Sequence, residues 1–462
     1  MGDLKSYLDS LKNMQVAVIG AGISNTPLIN ALLTAGIDTT VRDKRSHNEL
    51  GEIAEYFKKH GAKLKLGEDY LGDITENMIF RTPGLMPTDP ALIEAVAKGA
   101  VLTSEMEVFF DVCPCRIIGI TGSDGKTTTT SIIAEMLKRE GLTVHVGGNI
   151  GKPLLCEADN MDASDIAVLE LSSFQLITLR KSPDIAVVTN LSPNHLDIHK
   201  DMNEYIEAKR NIFAYQNKSG RAVFNIDNEY TRAYAETAPA GEVLYFGNLV
   251  EARNGVFLKD DVIYISEHSR NEAVLNIKDI LIPGSHNIEN YMAAIAALRG
   301  MVSNETILET ARSFKGVEHR IEFIRELHGV KYYNDSIASS PTRCIAGLKS
   351  FSGQKIILIA GGKDKGVAFD ELGGEINKYV KMLVLTGLTS QQIKEAVINA
   401  PNYTGTIETI ICEGFKEAVL TASQNAENGD IVLLSPACTS FDRFKNFEER
   451  GNIFKEIVRE ME

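Results

Sequence analysis

A predicted strand, a glycine-rich loop and a predicted helix occupy residues 116–137, and no other feature constrains the fold of this chain as strongly. Arg116-Ile-Ile-Gly-Ile120 has the apolar composition of a buried strand. Glycines occur at positions 119, 122 and 125, the first of them inside this run. An amphipathic helix is predicted from Lys126. Because a phosphate-binding loop needs a strand before it and a helix after it, we expect a parallel α/β domain here.

The residue types of the loop Gly119-Ile-Thr-Gly-Ser-Asp-Gly-Lys-Thr127 suit a bound phosphate. Glycines let backbone N–H groups turn towards phosphate oxygens, and the helix N-terminus adds a partial positive charge. Lys126 can reach β- and γ-phosphates, and the Thr127 hydroxyl can bind Mg²⁺. The common spacing would place glycine at Ile120, so the loop is a variant. The alternative is a glycine turn without a ligand, which the Gly-Lys-Thr context disfavours.

The order of apolar runs predicts three consecutive α/β domains, in line with 462 residues. We place their bounds at 1–110, 111–316 and 317–462. The expected strands are 15–19, 39–41, 116–120, 143–147, 166–170, 185–188, 321–334, 355–359, 382–385 and 430–434, with a more β-like patch at 242–282. Helices are expected up to residue 33, from residue 126, and near 202–215, 287–300 and 304–314.

Composition excludes several classes of protein. A net charge of −14 argues against nucleic acid as the main partner, although a few placed cations can still hold small anions. No run of about 18 apolar residues predicts a membrane span, and no secretory signal is recognised. The six cysteines form no disulfide or zinc pattern, Cys113-Pro-Cys115 included, and reduced thiols fit the cytoplasm.

A second glycine turn, Gly20-Ala-Gly-Ile-Ser-Asn25, follows the first predicted strand. It resembles a dinucleotide-binding turn whose last glycine is replaced by asparagine, and Asp43 lies where a ribose-binding acid would be. An NAD-dependent dehydrogenase is therefore a competing interpretation. Thr82-Pro-Gly84 is either a further turn on the same crevice or a plain β-turn.

Three groups in the middle segment are candidates for metal chemistry. Glu170 ends a predicted strand downstream of the phosphate loop, where a carboxylate can bind Mg²⁺ or cap a helix. The loop Thr189–His199 contains His195, Asp197 and His199, which are either ligands or structural. Lys209 lies on the next predicted helix, and the pattern alone favours a solvated side chain.

Two longer stretches make the chain similar to the Mur ligases, the ATP-dependent amide-bond ligases of peptidoglycan synthesis. They are Glu170-Leu-Ser-Ser-Phe-Gln-Leu176 and Leu434-Ser-Pro-Ala-Cys-Thr-Ser-Phe-Asp-Arg-Phe-Lys-Asn-Phe447, which resemble the members that add D-glutamate. The resemblance covers essentially the whole chain. It implies an N-terminal Rossmann-like domain for the UDP of the substrate, a central P-loop ATPase-type domain and a C-terminal Rossmann-like domain for the amino acid.

The resemblance also implies site residues. The UDP-substrate site would comprise Ile23, Ser24, Asp43, Lys44, Arg45, Thr82, Gly84, Asn149 and Ser172. ATP would contact Gly122, Ser123, Asp124, Gly125, Lys126, Thr127, Thr128, Asn287, Asn290, Arg320 and Asp335. Asp124 stands where relatives often have asparagine, and it adds negative charge near the phosphates.

Two Mg²⁺ ions are implied as cofactors, with Thr127, Glu170, His195 and Lys209 as ligands. Lys209 corresponds to a lysine that CO₂ carbamylates in the family, which gives it a carboxylate-like oxygen that Mg²⁺ prefers. Lys126, His195 and Lys209 are the catalytic candidates.

D-glutamate would contact Ser339, Lys365, Ser440 and Phe447. One departure is clear: many relatives have a lysine and a threonine where this chain has Ile337 and Ser339. Ile337 cannot supply the charge of that lysine.

The implied reaction adds D-glutamate to UDP-N-acetylmuramoyl-L-alanine, in a cytoplasmic enzyme that we expect to be a monomer. Two other superfamily members remain alternatives, a folylpolyglutamate synthase and a Mur ligase for another amino acid, and the Ser435–Phe447 run disfavours both. A non-catalytic nucleotide-binding protein is disfavoured because Glu170, His195 and Lys209 are all present.

Overall fold

The apolar runs of the chain form the strands of three sheets in a computed structural model that describes residues 2–195, 198–239, 241–248, 254–268, 270–364 and 366–462. The chain divides into two compact units. The first comprises Met1–Ile277 with Glu289–Thr310, and the second comprises Lys278–Ile288 with Ala311–Glu462.

The first sheet is parallel and has the strand order β3-β2-β1-β4-β5. Its central strand β1 is buried from Val16 to Ile19, as expected for a parallel sheet covered on both faces. The strands are β1 (Gln15–Ile19), β2 (Asp38–Asp43), β3 (Lys63–Leu66), β4 (Met78–Phe80) and β5 (Val101–Thr103). The helices are α1 (Leu4–Ser10), α2 (Asn25–Thr34), α3 (His47–Leu50), α4 (Glu52–Lys59), α5 (Pro90–Ala97) and α6 (Glu105–Val112).

The second sheet has nine strands in the order β14-β13-β12-β11-β10-β9-β6-β8-β7. Its pairs are parallel except for β12–β13 and β13–β14, which are antiparallel. The strands are β6 (Arg116–Thr121), β7 (Val144–Gly148), β8 (Ile166–Glu170), β9 (Ile185–Val188), β10 (Arg221–Asn225), β11 (Glu242–Phe246), β12 (Gly255–Lys259), β13 (Val262–Glu267) and β14 (Arg270–Asn276). Helices between and after them are α7 (Lys126–Arg139), α8 (Ser173–Leu176), α9 (Met202–Ala214), α10 (Glu229–Thr237), α11 (Ser285–Ala297) and α12 (Asn304–Ser313).

The third sheet has the order β15-β16-β20-β17-β18-β19, with only β15 antiparallel to its neighbour. Its strands are β15 (Glu322–Leu327), β16 (Val330–Asn334), β17 (Ile356–Ala360), β18 (Val380–Thr386), β19 (Glu408–Cys412) and β20 (Ile431–Leu434). Its helices are α13 (Pro341–Lys349), α14 (Asp370–Tyr379), α15 (Ser390–Asn399), α16 (Phe415–Gln424) and α17 (Phe447–Glu460).

The predicted strands and helices form within a few residues of their expected bounds, with one exception. The single strand expected at 321–334 is wrong: it is a hairpin of two antiparallel strands, β15 and β16, because His328 and Gly329 adopt positive φ angles and turn the chain back. The described residues of the β-like patch at 242–282 contain four strands. The sequence did not single out β10 or β19. The α/β fold class is confirmed, whereas the domain bounds at 110 and 316 stay a prediction. In the described part of the chain, no helix combines the length and apolar character of a membrane span.

A buried ion pair supports the end of β2, next to the predicted UDP-binding residues. Arg42 donates to both carboxylate oxygens of Glu76 at 3.0–3.1 Å and also to the carbonyls of Tyr70, Gly72 and Asp73. The side chains of the pair are only 4% and 6% exposed. Removing one partner would leave a charge buried without compensation, which costs far more than losing an exposed pair.

We predict that Arg42→Met lowers the free energy of unfolding by about 3–5 kcal/mol. The matched control is Arg139→Met, which breaks an i,i+4 pair with Glu135 whose side chains are 32% and 35% exposed. The control should cost only about 0.5 kcal/mol. Urea unfolding of the parent protein and the two variants measures the loss in the free energy of unfolding. Equal losses in the two variants would show that the buried pair stabilises the fold no more than an exposed pair does.

Candidate active site

Two glycines of the phosphate loop occupy positions that no side chain could share. Gly122 has φ 153°, and a Cβ atom there would lie 1.9 Å from the Thr189 hydroxyl. Gly125 has φ 78° and precedes α7, where a Cβ would lie 2.4 Å from Asn290 Oδ1. The loop is therefore shaped by close approach to neighbouring elements, which explains glycine at these positions.

The segment after β9 holds the phosphate loop by hydrogen bonds. The Ser123 and Asp124 amides donate to the carbonyl and side-chain oxygens of Asn190, both at 2.9 Å. The Thr189 hydroxyl donates to the Asp124 carbonyl at 2.6 Å. The Ser123 hydroxyl donates to the Ser192 carbonyl and lies 3.0 Å from the Tyr205 hydroxyl. These contacts fix the loop before any ligand binds.

Thr127 and Glu170, the predicted ligands of a first metal, are in direct contact. The Thr127 hydroxyl donates to Glu170 Oε2 at 2.7 Å, and the Asn149 side-chain amide donates to Glu170 Oε1 at 2.8 Å. Each carboxylate oxygen of the buried Glu170 is thus oriented by a neighbour. Lys126 Nζ donates to the carbonyls of Gly122 and Ser123 at 2.9 and 2.8 Å, so it lies along the loop.

These oxygens fit Mg²⁺, which prefers hard oxygen ligands and takes several from phosphates and water. The Thr127 hydroxyl and the Glu170 carboxylate, 2.7 Å apart at the base of the phosphate loop, would be the protein's ligands to the ion. Among the described residues, no group of three His, Cys, Asp or Glu side chains could hold a metal without such outside ligands. The arrangement therefore suits a metal that arrives with a nucleotide.

Lys209 lies beneath the phosphate loop instead of in solvent, contrary to what the helix pattern alone favoured. It is 2% exposed, and its Nζ donates to Thr121 Oγ1 at 3.1 Å and to the Gly122 carbonyl at 2.9 Å. Its Nζ is also 4.9 Å from the centre of the Tyr205 ring. Burial, and then the nearby Lys126 charge, hold the pKa of Lys209 well below its ordinary value.

The two histidines of the 189–199 loop differ in their surroundings. His195 is exposed, has φ 55°, and its ring centre lies 5.2 Å from that of Phe174. His199 is buried, stacks on Phe174, and its ring nitrogens contact Ser173 Oγ at 2.9 Å and Glu204 Oε2 at 3.2 Å. His199 is therefore structural, and His195 remains the metal candidate. Asp197 lies outside the described residues.

The two asparagines predicted to contact ATP are buried and hydrogen-bonded. Asn290 Oδ1 accepts from the Thr129 hydroxyl at 3.1 Å, which links α11 to the helix after the phosphate loop. In the second unit, Asn287 donates to the Pro283 carbonyl at 2.6 Å. Thr128 is buried in the first turns of α7, and Asp124 is exposed on the loop.

In the first sheet, Asp43 organises the Gly20–Asn25 turn. It is 4% exposed and accepts from the Ala21 amide at 2.8 Å and from the Arg45 guanidinium at 2.7 and 3.0 Å. These donors hold the pKa of Asp43 below its ordinary value even though burial acts to raise it. Asp43 therefore connects the turn to Arg45.

Asn25, which stands in place of a third glycine, stabilises the turn by hydrogen bonds. Its side-chain amide donates to the Ile19 and Gly20 carbonyls, both at 3.0 Å. A Cβ on Gly20 would lie 3.1 Å from Thr82 Cβ, so the Thr82-Pro-Gly84 turn lies directly beside this one. The predicted site residues that are exposed around the two turns are Ile23, Ser24, Lys44 and Gly84, whereas Arg45 and Thr82 are half-buried. Ile23 is 83% exposed.

Arg81, which the sequence did not single out, connects the first two sheets. It is 1% exposed and donates to the Phe174 carbonyl at 2.8 Å and to the Thr178 hydroxyl at 2.9 Å. Both acceptors lie in or just after α8, whose first turn is capped by Ser172 through a reciprocal bond with Gln175. Ser172 is thereby fixed relative to the Thr82 turn, which follows Arg81.

In the second unit, Asp335 directly follows β16 and is a buried carboxyl group. It accepts from the Ser435 hydroxyl at 2.8 Å and from the Ile321 amide at 3.3 Å. Burial raises the pKa of Asp335 to about 7, although Ser435 and the charge of Arg320 act to lower it. Arg320, the other predicted ATP contact of this unit, is half-buried, and its amide donates to the Val317 carbonyl at 2.9 Å.

The predicted D-glutamate residues belong to loops that follow strands of the third sheet. Ser339 follows β16, and its amide donates to the Ile337 carbonyl at 2.7 Å. Ser440 follows β20 and is 2% exposed, and Phe447 begins α17. Lys365 lies outside the described residues. Near Ile337, which has no charge, the exposed Arg343 donates to the Ile337 carbonyl at 3.4 Å and brings a cation to this loop.

Comparison with known proteins identifies the family. Residues 120–298 match the Mur ligase middle domain, and residues 319–438 match the Mur ligase glutamate ligase domain. The UDP-N-acetylmuramoylalanine--D-glutamate ligase of Ruminiclostridium cellulolyticum is 49% identical over 462 residues, 99% of each chain. That of Clostridium novyi is 48% identical over 457 residues, 98% of each chain. The chain belongs to the Mur ligase family.

Solved structures agree on the fold of this Mur ligase. The UDP-N-acetylmuramate-alanine ligase of Thermotoga maritima superposes with a TM-score of 0.57 at 16% identity, over 97% of this chain and 99% of that one. A UDP-N-acetylmuramoyl-L-alanyl-D-glutamate--2,6-diaminopimelate ligase gives 0.55 at 20% identity, over 94% and 88%. The predicted α/β architecture is thus that of the family.

The raised pKa of Asp335 predicts how pH changes stability. Because the fold holds this carboxyl group in its protonated form, the free energy of unfolding should fall between about pH 4 and pH 7, where the unfolded chain ionises freely. Asp335→Asn cannot ionise, so its stability relative to the parent protein should rise by a few kcal/mol over that range and stay level above it.

Urea unfolding of the parent and the variant at pH 5 and pH 8 checks this prediction. Asp260→Asn, in the exposed turn between β12 and β13, serves as the matched control. An Asp335→Asn difference that does not change with pH would show that the carboxyl group is ionised in the fold.

Proposed function

We propose that this Mur ligase uses ATP to join D-glutamate to UDP-N-acetylmuramoyl-L-alanine, giving ADP, phosphate and a new amide bond. The observation that carries the proposal is the cluster beneath the phosphate loop, where Thr127 contacts Glu170 and buried Lys209 contacts the loop itself. Relatives that match 98–99% of the chain and bear the name of this reaction support the choice of amino acid.

The substrates divide among the three sheets. The turns at Gly20 and Thr82 receive the UDP group, and exposed Ile23 offers an apolar surface to its base. ATP binds on the second sheet with its phosphates in the loop of residues 119–127. D-glutamate binds at the loops that carry Ser339, Lys365, Ser440 and Phe447.

In the first step, an oxygen of the alanyl carboxylate attacks the γ-phosphorus of ATP, and the bond to ADP breaks. The product is an acyl phosphate, whose phosphate is a far better leaving group than the oxide of a carboxylate. Lys126 turns its Nζ away from the Gly122 and Ser123 carbonyls and onto the phosphate oxygens, where it offsets the charge that develops during transfer.

Thr127 and Glu170 would hold a first Mg²⁺, and His195 and Lys209 would hold a second. Bound there, the ions would supply positive charge that neutralises the phosphates. Glu170 needs no rearrangement for this, because Thr127 and Asn149 already orient its two oxygens.

Lys209 is carbamylated, with the reaction R–NH₂ + CO₂ → R–NH–COO⁻ + H⁺. The reaction needs a neutral amine, and burial beside Lys126 lowers the pKa of Lys209 and so favours that form. The carbamate gives the side chain oxygen atoms, which Mg²⁺ prefers to nitrogen.

In the second step, the amine of D-glutamate attacks the acyl carbon. A tetrahedral intermediate forms, loses phosphate and leaves the amide. Arg343 and Lys365 supply positive charge for the two carboxylates of D-glutamate, since Ile337 cannot. We place the enzyme in the cytoplasm, which agrees with six free cysteines, five of them buried, and we expect it to act as a monomer.

ADP formation measured against a panel of amino acids tests the reaction. The protein should form ADP only when UDP-N-acetylmuramoyl-L-alanine and D-glutamate are both present. L-lysine, meso-diaminopimelate and L-glutamate are each tested in place of D-glutamate as controls. Comparable turnover with L-lysine or meso-diaminopimelate would reject the choice of amino acid, and ADP formation without any amino acid would reject the coupled mechanism.

Lys209→Ala tests the carbamate. We predict a loss of activity of at least about 10³-fold, because an essential metal ligand disappears, and partial recovery in millimolar acetate or formate, which can place a carboxylate in the space. Arg210→Ala is the matched control, since the neighbouring Arg210 side chain is 39% exposed on the same helix. Unchanged turnover in Lys209→Ala would end the carbamate proposal, as would an equal loss in the control.

A further inference from the structure

A buried arginine on α17 lies behind the loops that carry the proposed D-glutamate residues. Arg450 is 2% exposed and follows Phe447 by three residues. No feature of the sequence pattern distinguishes it from a solvated helix residue. Its contacts, however, reach two different loops at the carboxyl ends of β16 and β20.

The guanidinium of Arg450 joins these two loops directly. Nε donates to Ser336 Oγ at 3.0 Å, and Nη2 donates to the Ser336 carbonyl at 2.8 Å. Both Nη atoms donate to the Cys438 carbonyl at 3.2 Å. Ser336 precedes Ser339 by three residues, and Cys438 precedes Ser440 by two. The Ser336 hydroxyl in turn donates to the Phe447 carbonyl at 2.8 Å, which adds the start of α17 to the assembly.

A third loop, after β17, is attached to the same assembly. Lys363 and Thr439 exchange two backbone hydrogen bonds, at 2.9 and 3.1 Å, and the Thr439 hydroxyl donates to the Lys363 carbonyl at 2.9 Å. A Cβ on Gly362 would lie 3.3 Å from Arg450 Nη1, so this loop packs against the guanidinium. The loop leads directly to Lys365. The described D-glutamate residues, Ser339, Ser440 and Phe447, therefore belong to segments that Arg450 contacts, and the loop of Lys363 is bonded to one of these segments.

Arg450 also brings a positive charge whose direct hydrogen-bond partners are all uncharged, although the charge of Asp442 acts on it. Among the residues that the structure describes, none forms an ion pair with it within 4.0 Å, and its hydrogen-bond acceptors are carbonyl and hydroxyl oxygens. Burial lowers the pKa of Arg450 to about 10, which still leaves the group protonated at neutral pH. A buried cation with neutral direct partners, whose one interacting carboxylate, Asp442, forms no ion pair with it, contributes a positive potential at the loops above it.

We propose that Arg450 is a positioning residue for D-glutamate: its planar guanidinium holds the loops of Ser336–Ser339 and Cys438–Phe447 at one fixed separation, and its charge favours the dicarboxylate amino acid there. The inference rests on the proposed function. An arginine is required because one flat group must donate in its plane to acceptors on both loops, which an ammonium group cannot do.

Arg450→Lys and Arg450→Ala test this proposal, with KM measured separately for each substrate. We expect the KM for D-glutamate to rise at least tenfold in both variants. The KM values for ATP and for UDP-N-acetylmuramoyl-L-alanine should stay within twofold of the parent protein. A general loss of structure would not separate the substrates in this way.

Arg325→Met is the matched control. Arg325 also donates to two backbone carbonyls of α17, those of Val458 and Arg459 at 3.4 and 3.0 Å, but at the other end of the helix. It should lower the thermal unfolding midpoint without changing any KM. Guanidinium at millimolar concentration should restore part of the D-glutamate affinity to Arg450→Ala but not change the control.

The outcomes separate the inference from the function on which it rests. If the parent protein forms no ADP with D-glutamate, the proposed function fails. If the parent is active and Arg450→Lys keeps the parent KM for D-glutamate, or raises all three KM values in parallel, the inference alone is overturned. Should Arg450→Ala fail to fold, Arg450→Lys decides between these results.

Discussion

The burial of Lys209 beneath the phosphate loop is the constraint on which the candidate site depends. Lys209 is only 2% exposed, so an ammonium group at this position loses its hydration. Its two hydrogen bonds, to Thr121 and Gly122, do not fully compensate for that loss. The nearby Lys126 makes the charged form less favourable still. A chain that places two lysines around one loop gains from any chemistry that removes a positive charge. A carbamate on one lysine does so, and nucleotide phosphates offset the charge of the other.

The remaining polar groups of the loop are fixed before a nucleotide arrives. The segment after β9 holds Ser123 and Asp124, while Asn149 and Thr127 orient Glu170. Such preorganisation reduces the cost of arranging dipoles during phosphoryl transfer. The same principle recurs away from the loop. Asp43 holds the glycine turn of the first sheet, and Arg450 holds loops of the third.

The sequence predicts the parts of this structure that depend on local pattern. The strand, loop and helix at residues 116–137 were recognisable because phosphate binding demands glycine where the backbone comes close to its neighbours. Buried parallel strands such as β8 and β17 were recognisable as short apolar runs. Strand β19, at the edge of the third sheet, gave no comparable signal, because Glu408 and Ile411 are exposed and only Cys412 is fully buried.

Features that depend on contacts between distant residues were not predictable from pattern. Lys209 looked like a solvated helix residue, and only its position under residues 121 and 122, more than 80 positions earlier, reverses that interpretation. Arg450 contacts Ser336 across 114 positions. His199 looked as suited to metal binding as His195 until its ring was found between Phe174, Ser173 and Glu204. The resemblance to the family identified Lys209, but it gave no role to Arg450.

In the proposed reaction ATP activates the substrate carboxylate as an acyl phosphate, and an oxygen-18 label tests this step most directly. UDP-N-acetylmuramoyl-L-alanine with both alanyl carboxylate oxygens labelled should be turned over with D-glutamate and ATP, and the phosphate released should be analysed by mass spectrometry. The account predicts one labelled oxygen in each phosphate and one in each amide product. Phosphate without label, alongside full amide formation, would contradict it.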